Sequence, residues 1–328
     1  MSVHSFYNDK HEIYVNEFID FEFNSLFNSL DFFYLHANRK TDFYFQLIRK
    51  ADKKVIAALP IYQISKNIFS SPKKGTFSTI DNSSDLSYQM LSEFLKFIDS
   101  FLHYENGAMV SSIKLPPDSH DQTKHTFLLH TLLNLNYKVN LLDINFDLKV
   151  DKDCFESKIS YSAKKTLKKN LTHGHESMKL PFSEFDNVYS IIEKNRSEYN
   201  YPMSMTRDAL KEMLKIFPEK FFLFGVYTPA PNRALIASSI CIEVQKNILY
   251  IFYWGEDPAY RKLSPVTLLS KIIYGYAQDY KFDLLDAGIA SSEGKINLGL
   301  IKFKQNLGFR ASSKIILTKS FPQLNDGN

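Results

Sequence analysis

Apolar residues fall at helical spacing in two stretches that lie far apart in the chain. Met90, Leu91, Phe94, Leu95, Ile98 and Leu102 share one helix face, and Leu268, Leu269, Ile272, Ile273, Tyr276 and Tyr280 repeat that stripe 178 residues later. The strand-like patterns ahead of each stripe also repeat. Phe43-Tyr-Phe-Gln-Leu-Ile48 returns as Phe221-Phe-Leu-Phe-Gly-Val226, and Lys54-Val-Ile-Ala-Ala58 as Arg233-Ala-Leu-Ile-Ala-Ser238. Lys66-Asn-Ile-Phe69 returns as Lys246-Asn-Ile-Leu249, now 180 residues on. A period this long is a domain, not a solenoid repeat, so the chain reads as two copies of one fold.

Each copy predicts the same order of elements. A helical stretch (22–38 and 205–217) leads into a strand, a polar turn (50–54 and 228–232) and a second strand. A third strand (68–80 and 248–255), the striped helix, a strand (108–114 and 282–288), a further helix and a closing strand follow. This order predicts a mixed α/β (α+β) architecture, in which a mostly antiparallel sheet is flanked by helices. Between the copies, 153–175 places Phe155, Ile159, Ala163, Leu167 and Leu171 at helical spacing and has no counterpart at the start of the chain. With 139–150 as the closing strand of the first copy, the expected domains are 1–150 and 151–328.

Composition narrows the class. At 328 residues, 44% hydrophobic and 15% aromatic, the chain has apolar content for two cores. Its net charge of +4 is mild and calls for no polyanion by itself. Two cysteines, Cys154 and Cys241, make no disulfide framework and fit a reducing compartment. No signal-like segment and no run of 18 apolar residues is present, so the expected location is cytoplasmic, with peripheral membrane contact left open.

Charge is concentrated locally. Lys164, Lys165, Lys168 and Lys169 sit at i, i+1, i+4 and i+5 with no acid between Glu156 and Glu176, which makes one helix face cationic. Like charges at that spacing repel slightly, and a phosphate-bearing partner would reverse the cost; a solvated face on a bridging helix is the plainer reading. Arg261-Lys-Leu-Ser-Pro-Val266 places two cations before a helix expected to start with Ser264 as cap and Pro265 in its first turn, a ready anion site. Near the end, Asp286-Ala-Gly288 closes a strand, and Lys302 and Lys304 flank Phe303, expected to point outward while Phe303 faces the core. No metal site is expected: His173-Gly-His175 lacks a third ligand and reads as a surface turn. Trp254 fits either a cleft or the core. The absence of Gly-x-Ser-x-Gly and Walker-type loops argues against hydrolase and NTPase classes.

From Tyr250 to Phe309 the chain resembles the tandem GNAT-fold acyltransferases, in particular the Fem-type (FemAB-like) aminoacyltransferases. The residues that carry the resemblance are the aromatic strand Tyr250–Trp254, the helix start at Ser264-Pro265, the strand 282–288 and the closing Phe303-Lys-Gln-Asn-Leu-Gly-Phe309. The basic 158–170 segment resembles the helix that opens the second domain of that group. The resemblance implies two tandem GNAT-like domains that move an acyl or aminoacyl unit from a phosphorylated carrier to an amine. It implies aminoacyl-tRNA or acyl-CoA as donor, no tightly bound cofactor, and a peptidoglycan-precursor-like acceptor in cell-envelope assembly. On this reading Arg261, Lys262, Ser264, Lys164, Lys165 and Lys168 bind the carrier. Lys302 and Lys304 face the oxyanion or a phosphate, and Glu256, Asp257 or Asp286 takes the amine's proton. Arg261 matches the group's CoA loop, Gln/Arg-x-x-Gly-x-Gly/Ala, but Ser264 and Val266 replace its small residues, which favours a donor other than CoA. The alternatives are an acetyl-CoA-dependent N-acetyltransferase and a non-catalytic binding protein that kept the tandem fold.

Overall fold

The computed structural model describes residues 2–5, 10–82, 84–292 and 294–323. In chain order the first repeat contains β1 (Ser2–Ser5), β2 (His11–Val15), α1 (Leu30–His36), β3 (Phe43–Arg49), β4 (Lys54–Ser65), β5 (Ile68–Ser71), β6 (Asp81–Asn82), α2 (Tyr88–Ser100), β7 (Val110–Lys114), α3 (Gln122–Asn134) and β8 (Lys138–Lys149). Helices α4 (Phe155–Lys158) and α5 (Tyr161–Thr172) follow. The second repeat contains β9 (Glu176–Leu180), α6 (Phe185–Glu198), α7 (Arg207–Ile216), β10 (Phe221–Tyr227), β11 (Leu235–Gln245), β12 (Ile248–Glu256) and α8 (Val266–Asp279). It closes with β13 (Leu284–Ile289), the short β14 (Ser291–Ser292) and β15 (Lys295–Ile296), α9 (Leu298–Asn306) and β16 (Arg310–Ser320).

The duplication is visible in the hydrogen-bond register. Tyr62 pairs with Ser70 and Gln63 with Phe69; 180 residues on, Ile242 pairs with Tyr250 and Glu243 with Leu249. Both ladders then slip by one residue at the same place, between Gln63 and Ser65 and between Glu243 and Gln245. In each copy a parallel pair follows, β5 with β7 and β12 with β13, while the other ladders are antiparallel. The α2 stripe is buried from Met90 to Leu102, and α8 buries Leu268, Leu269, Ile273 and Tyr276. Each such side chain contributes about 1.5–3 kcal/mol when removed from water. Tyr280 departs from the expected stripe: it lies just past the helix end, is exposed, and stacks on Tyr276. The third strand of the first copy is also shorter than 68–80, because Pro72 follows Ser71 and cannot donate to the ladder.

Two compact units divide the chain, one made of Met1–Asp143 with Ser313–Asn328 and the other of Ile144–Ser312. The division differs from the expected 1–150 and 151–328 for a topological reason. In the second unit β13 is flanked by β12 on one side and the end of β8 on the other, with Asp286 opposite both Tyr250 and Asp147. In the first unit Ser112 of β7 holds the same position, opposite Ser70 of β5 and Thr318 of β16. Each repeat therefore supplies the last strand of the other repeat's sheet. In the first unit that strand is pinned from beneath. Lys319 donates to the buried Asp99 at 2.6 Å, Tyr137 donates to the same carboxylate at 2.7 Å, and Phe321 stacks on His103. Burial keeps the Asp99 carboxyl above its ordinary value even with Lys319 beside it.

Candidate functional site

The end of β12 and the start of α8 form the most chemically distinctive place in the second unit. Side chains alternate along β12, so Trp254 and Glu256 share one face and Tyr253 and Gly255 the other. Gly255 is required where it stands: a Cβ there would lie 2.9 Å from the Cβ of Asn195 on α6. That close approach lets Asn195 donate its Nδ2 to the Glu256 carbonyl at 3.0 Å and fix the strand end. The next residue, Asp257, accepts from the Ala259 amide and from Lys194. In spite of burial, these partners hold the Asp257 carboxyl below its ordinary range.

The Glu256 carboxyl has the opposite character. Burial pushes it up to about 7, against the opposing pull of the Val266 amide in the first turn of α8 and of Arg261. Its Oε2 is buried without a hydrogen-bond partner. A carboxyl that titrates near neutrality beside a helix N-terminus is suited to accept and release a proton.

The 3-10 turn Pro258–Leu263 connects these elements. Ser264 then adopts a left-handed conformation with φ 45° and ψ 60°, and α8 begins at Val266 with Pro265 ahead of it. Ser264 therefore does not cap α8 as expected. It holds the backbone turn at the position where the CoA loop of the GNAT group has its first glycine, a conformation that favours glycine. Helix α5 lies against this turn. Its buried Asn170 donates Nδ2 to the Leu263 carbonyl at 2.7 Å and accepts from His175 Nδ1 at 2.9 Å. His175 is thus buried behind the turn and not on a surface loop; its burial and His173 push the imidazole below its ordinary value. Ala163 and Leu167 anchor the inner face of α5, while Lys164, Lys165, Lys168 and Lys169 are exposed on the outer face. Among the described residues none of these four lysines, nor Lys262, has an ion pair; Lys165 lies over the Tyr161 ring. Arg261 turns the other way and lies 4.7 Å from the centre of the Tyr199 ring.

A second group of expected residues gathers at the end of β13 and has a structural role. Lys304 does not point outward: it is 1% exposed, and its Nζ donates to the carbonyls of Ala287, Gly288 and Ile289 at 2.8–2.9 Å. Three carbonyls occupy its three N–H bonds, so it cannot also hold an oxyanion. Asp286 is equally buried, and its Oδ1 accepts from Asn145 at 2.9 Å and from the Gly288 amide at 2.7 Å. Gly288 has φ 74° and stands 3.2 Å, measured from an added Cβ, from the Tyr250 hydroxyl. Lys304 and Asp286 thus secure an irregular strand end, which replaces the catalytic roles expected of them. Lys302, two residues away and so on another face of α9, is exposed. Trp254 joins the two groups by packing on Phe303 and Phe309.

No family profile matches the sequence, and no curated protein matches it either. Solved structures do match. The crystal structure of FemX aligns with a TM-score of 0.64 at 12% identity, over 86% of this chain and 89% of FemX. The C-terminal domain of a putative lysylphosphatidylglycerol synthetase from Agrobacterium fabrum aligns at 0.55 and 11% identity, over 81% and 82%. The L-PGS of Bacillus licheniformis aligns at 0.55 and 10% identity, over 82% of both chains. The fold is the tandem GNAT-like arrangement.

Proposed function

We propose that the protein is an acyl- or aminoacyl-transferase that moves an acyl group from a phosphate-bearing carrier to an amine. The observation that carries this reading is the Glu256 carboxyl, pushed up to about 7 and with one oxygen unpartnered, at the foot of α8 beside unpaired cations. Lys262 with Lys164, Lys165 and Lys168 would hold the carrier's phosphates, which turns their mutual repulsion into attraction. In the reaction the amine nitrogen attacks the acyl carbonyl carbon and a C–N bond forms. Glu256 takes the proton that the nitrogen sheds. The bond from carbon to the carrier's oxygen or sulfur then breaks, and the proton passes to that leaving atom. Lys302, exposed on α9, is the cation available to face the developing oxyanion.

Likeness in fold to FemX and to two lysylphosphatidylglycerol synthetase domains supports a carrier such as aminoacyl-tRNA and an acceptor from the cell envelope. In the test, purified protein is mixed with a radiolabelled aminoacyl-tRNA or with labelled acetyl-CoA, each with an amine acceptor. Transfer lost in Glu256→Gln supports the reading. Failure of both donors to bind or react sinks it. Reaction from acetyl-CoA alone makes the protein an N-acetyltransferase.

A further inference from the structure

Beyond the α8 turn, the segment that follows α6 presents aromatic surface that the core does not use. Tyr199 and Tyr201 are 50% and 47% exposed, yet their rings are nearly parallel, 6.4 Å apart and inclined by 28°. The pair is braced from several sides. The Tyr199 and Tyr201 amides both donate to the Arg196 carbonyl, and the Arg196 guanidinium returns to the Pro202 carbonyl at 2.8 Å. Asn297, at the start of α9, donates to the Tyr201 hydroxyl at 3.1 Å. The Arg261 guanidinium lies over Tyr199, which extends the flat surface by one more planar group. Aromatic side chains held half-exposed and pre-ordered make a stacking platform whose ordering cost is already met on folding.

Arg261 is followed at once by Lys262, and Leu263 is tied to α5 through Asn170. Consecutive Cα atoms are about 3.8 Å apart. The aromatic platform and the unpaired lysines therefore lie within a few ångströms of a common three-residue turn. A bare phosphate has no use for the rings, and a lipid headgroup has no flat face to lay on them. A nucleotide has both parts, joined by one sugar.

We infer that Tyr199, Tyr201 and Arg261 stack the base of a purine nucleotide whose phosphates lie on Lys262 and the α5 lysines. This rests on the transferase reading and makes the carrier a nucleotide. Calorimetry with 5′-AMP and with ribose 5-phosphate tests it. Stacking of a base on aromatic side chains is worth about 1–3 kcal/mol, so AMP binds roughly 5- to 150-fold more tightly than the sugar phosphate. Tyr201→Ala removes that margin and leaves ribose 5-phosphate binding unchanged, while Tyr201→Phe keeps most of it; Trp254 fluorescence confirms that each variant is folded. Equal affinity for the two probes overturns the nucleotide inference and leaves the transferase reading standing. Binding of neither probe overturns both. If AMP wins, competition by coenzyme A and by a short RNA ending in adenosine shows which source supplies the base.

Discussion

Replacing Glu256 by Gln should make the second unit more stable at pH 8 and change it little at pH 5. The folded carboxyl titrates at about 7 against an ordinary 4.5. Between those values the native state keeps a proton that the unfolded chain has released, so unfolding sheds a proton and stability falls as pH rises. Across that interval the ionised form costs about 3 kcal/mol. Partial exposure of the side chain, and the desolvated amide that Gln brings, trim the net gain to about 1–3 kcal/mol at pH 8 and under about 1 kcal/mol at pH 5. Trp254 is the chain's one tryptophan and stands two residues from the substitution, packed on Phe303 and Phe309. Its fluorescence during urea unfolding reports on the second unit without interference from the first. An equal shift at both pH values, or a less stable variant at pH 8, refutes the reasoning. A gain in stability coupled to loss of transfer is the signature of a group retained for chemistry at a thermodynamic cost.

Lys319→Met leaves the buried Asp99 without its cation and should cost about 3–5 kcal/mol in the first unit. Hydrogen exchange of Val110–Lys114 and Arg310–Ser320 should then speed up by roughly 100-fold or more, and unchanged protection would count against the pinned strand. Lys304→Met strands three buried carbonyls and should cost at least about 3 kcal/mol, whereas Lys302→Ala should leave the urea midpoint within about 0.5 kcal/mol; similar curves for the two refute the division of roles. Alanine at Lys164, Lys165 and Lys168 together should flatten the logarithmic salt dependence of single-stranded oligonucleotide binding by about 2 and leave the melting temperature unchanged or slightly raised. An unaltered salt slope would show that α5 does not touch the phosphates.

The repeat, the buried stripes of α2 and α8 and the mixed sheet were legible because periodicity reports which face of an element is covered. The partner of a strand is another matter. The pattern of β16 marks a strand but says nothing about which sheet receives it, since pairing is decided by contacts distant in sequence. Lys304 was misjudged for a related reason: a lysine next to Phe303 reads as exposed, and only the three carbonyls at the end of β13 explain why an ammonium is drawn inside. Ser264 before Pro265 carries the sequence mark of a helix cap, yet the turn demanded a left-handed residue there. Glu256 was chosen as one of three nearby acids; its separation from Asp257, one pushed up and the other down, comes from partners on α6 and α8. Tyr199 and Tyr201 were passed over, although Tyr199-Asn-Tyr-Pro202 is an aromatic-rich turn in which two rings two residues apart can meet.

The traded closing strands of β8 and β16 bind the inheritance of the two copies together. A chain stopped before residue 310 would leave β7 with a bare edge in the half that was never touched, and an excised second copy would lack the ribbon encoded ahead of it. Neither copy can be discarded, shuffled or replaced as a cassette. The duplication, once the exchange was in place, became irreversible.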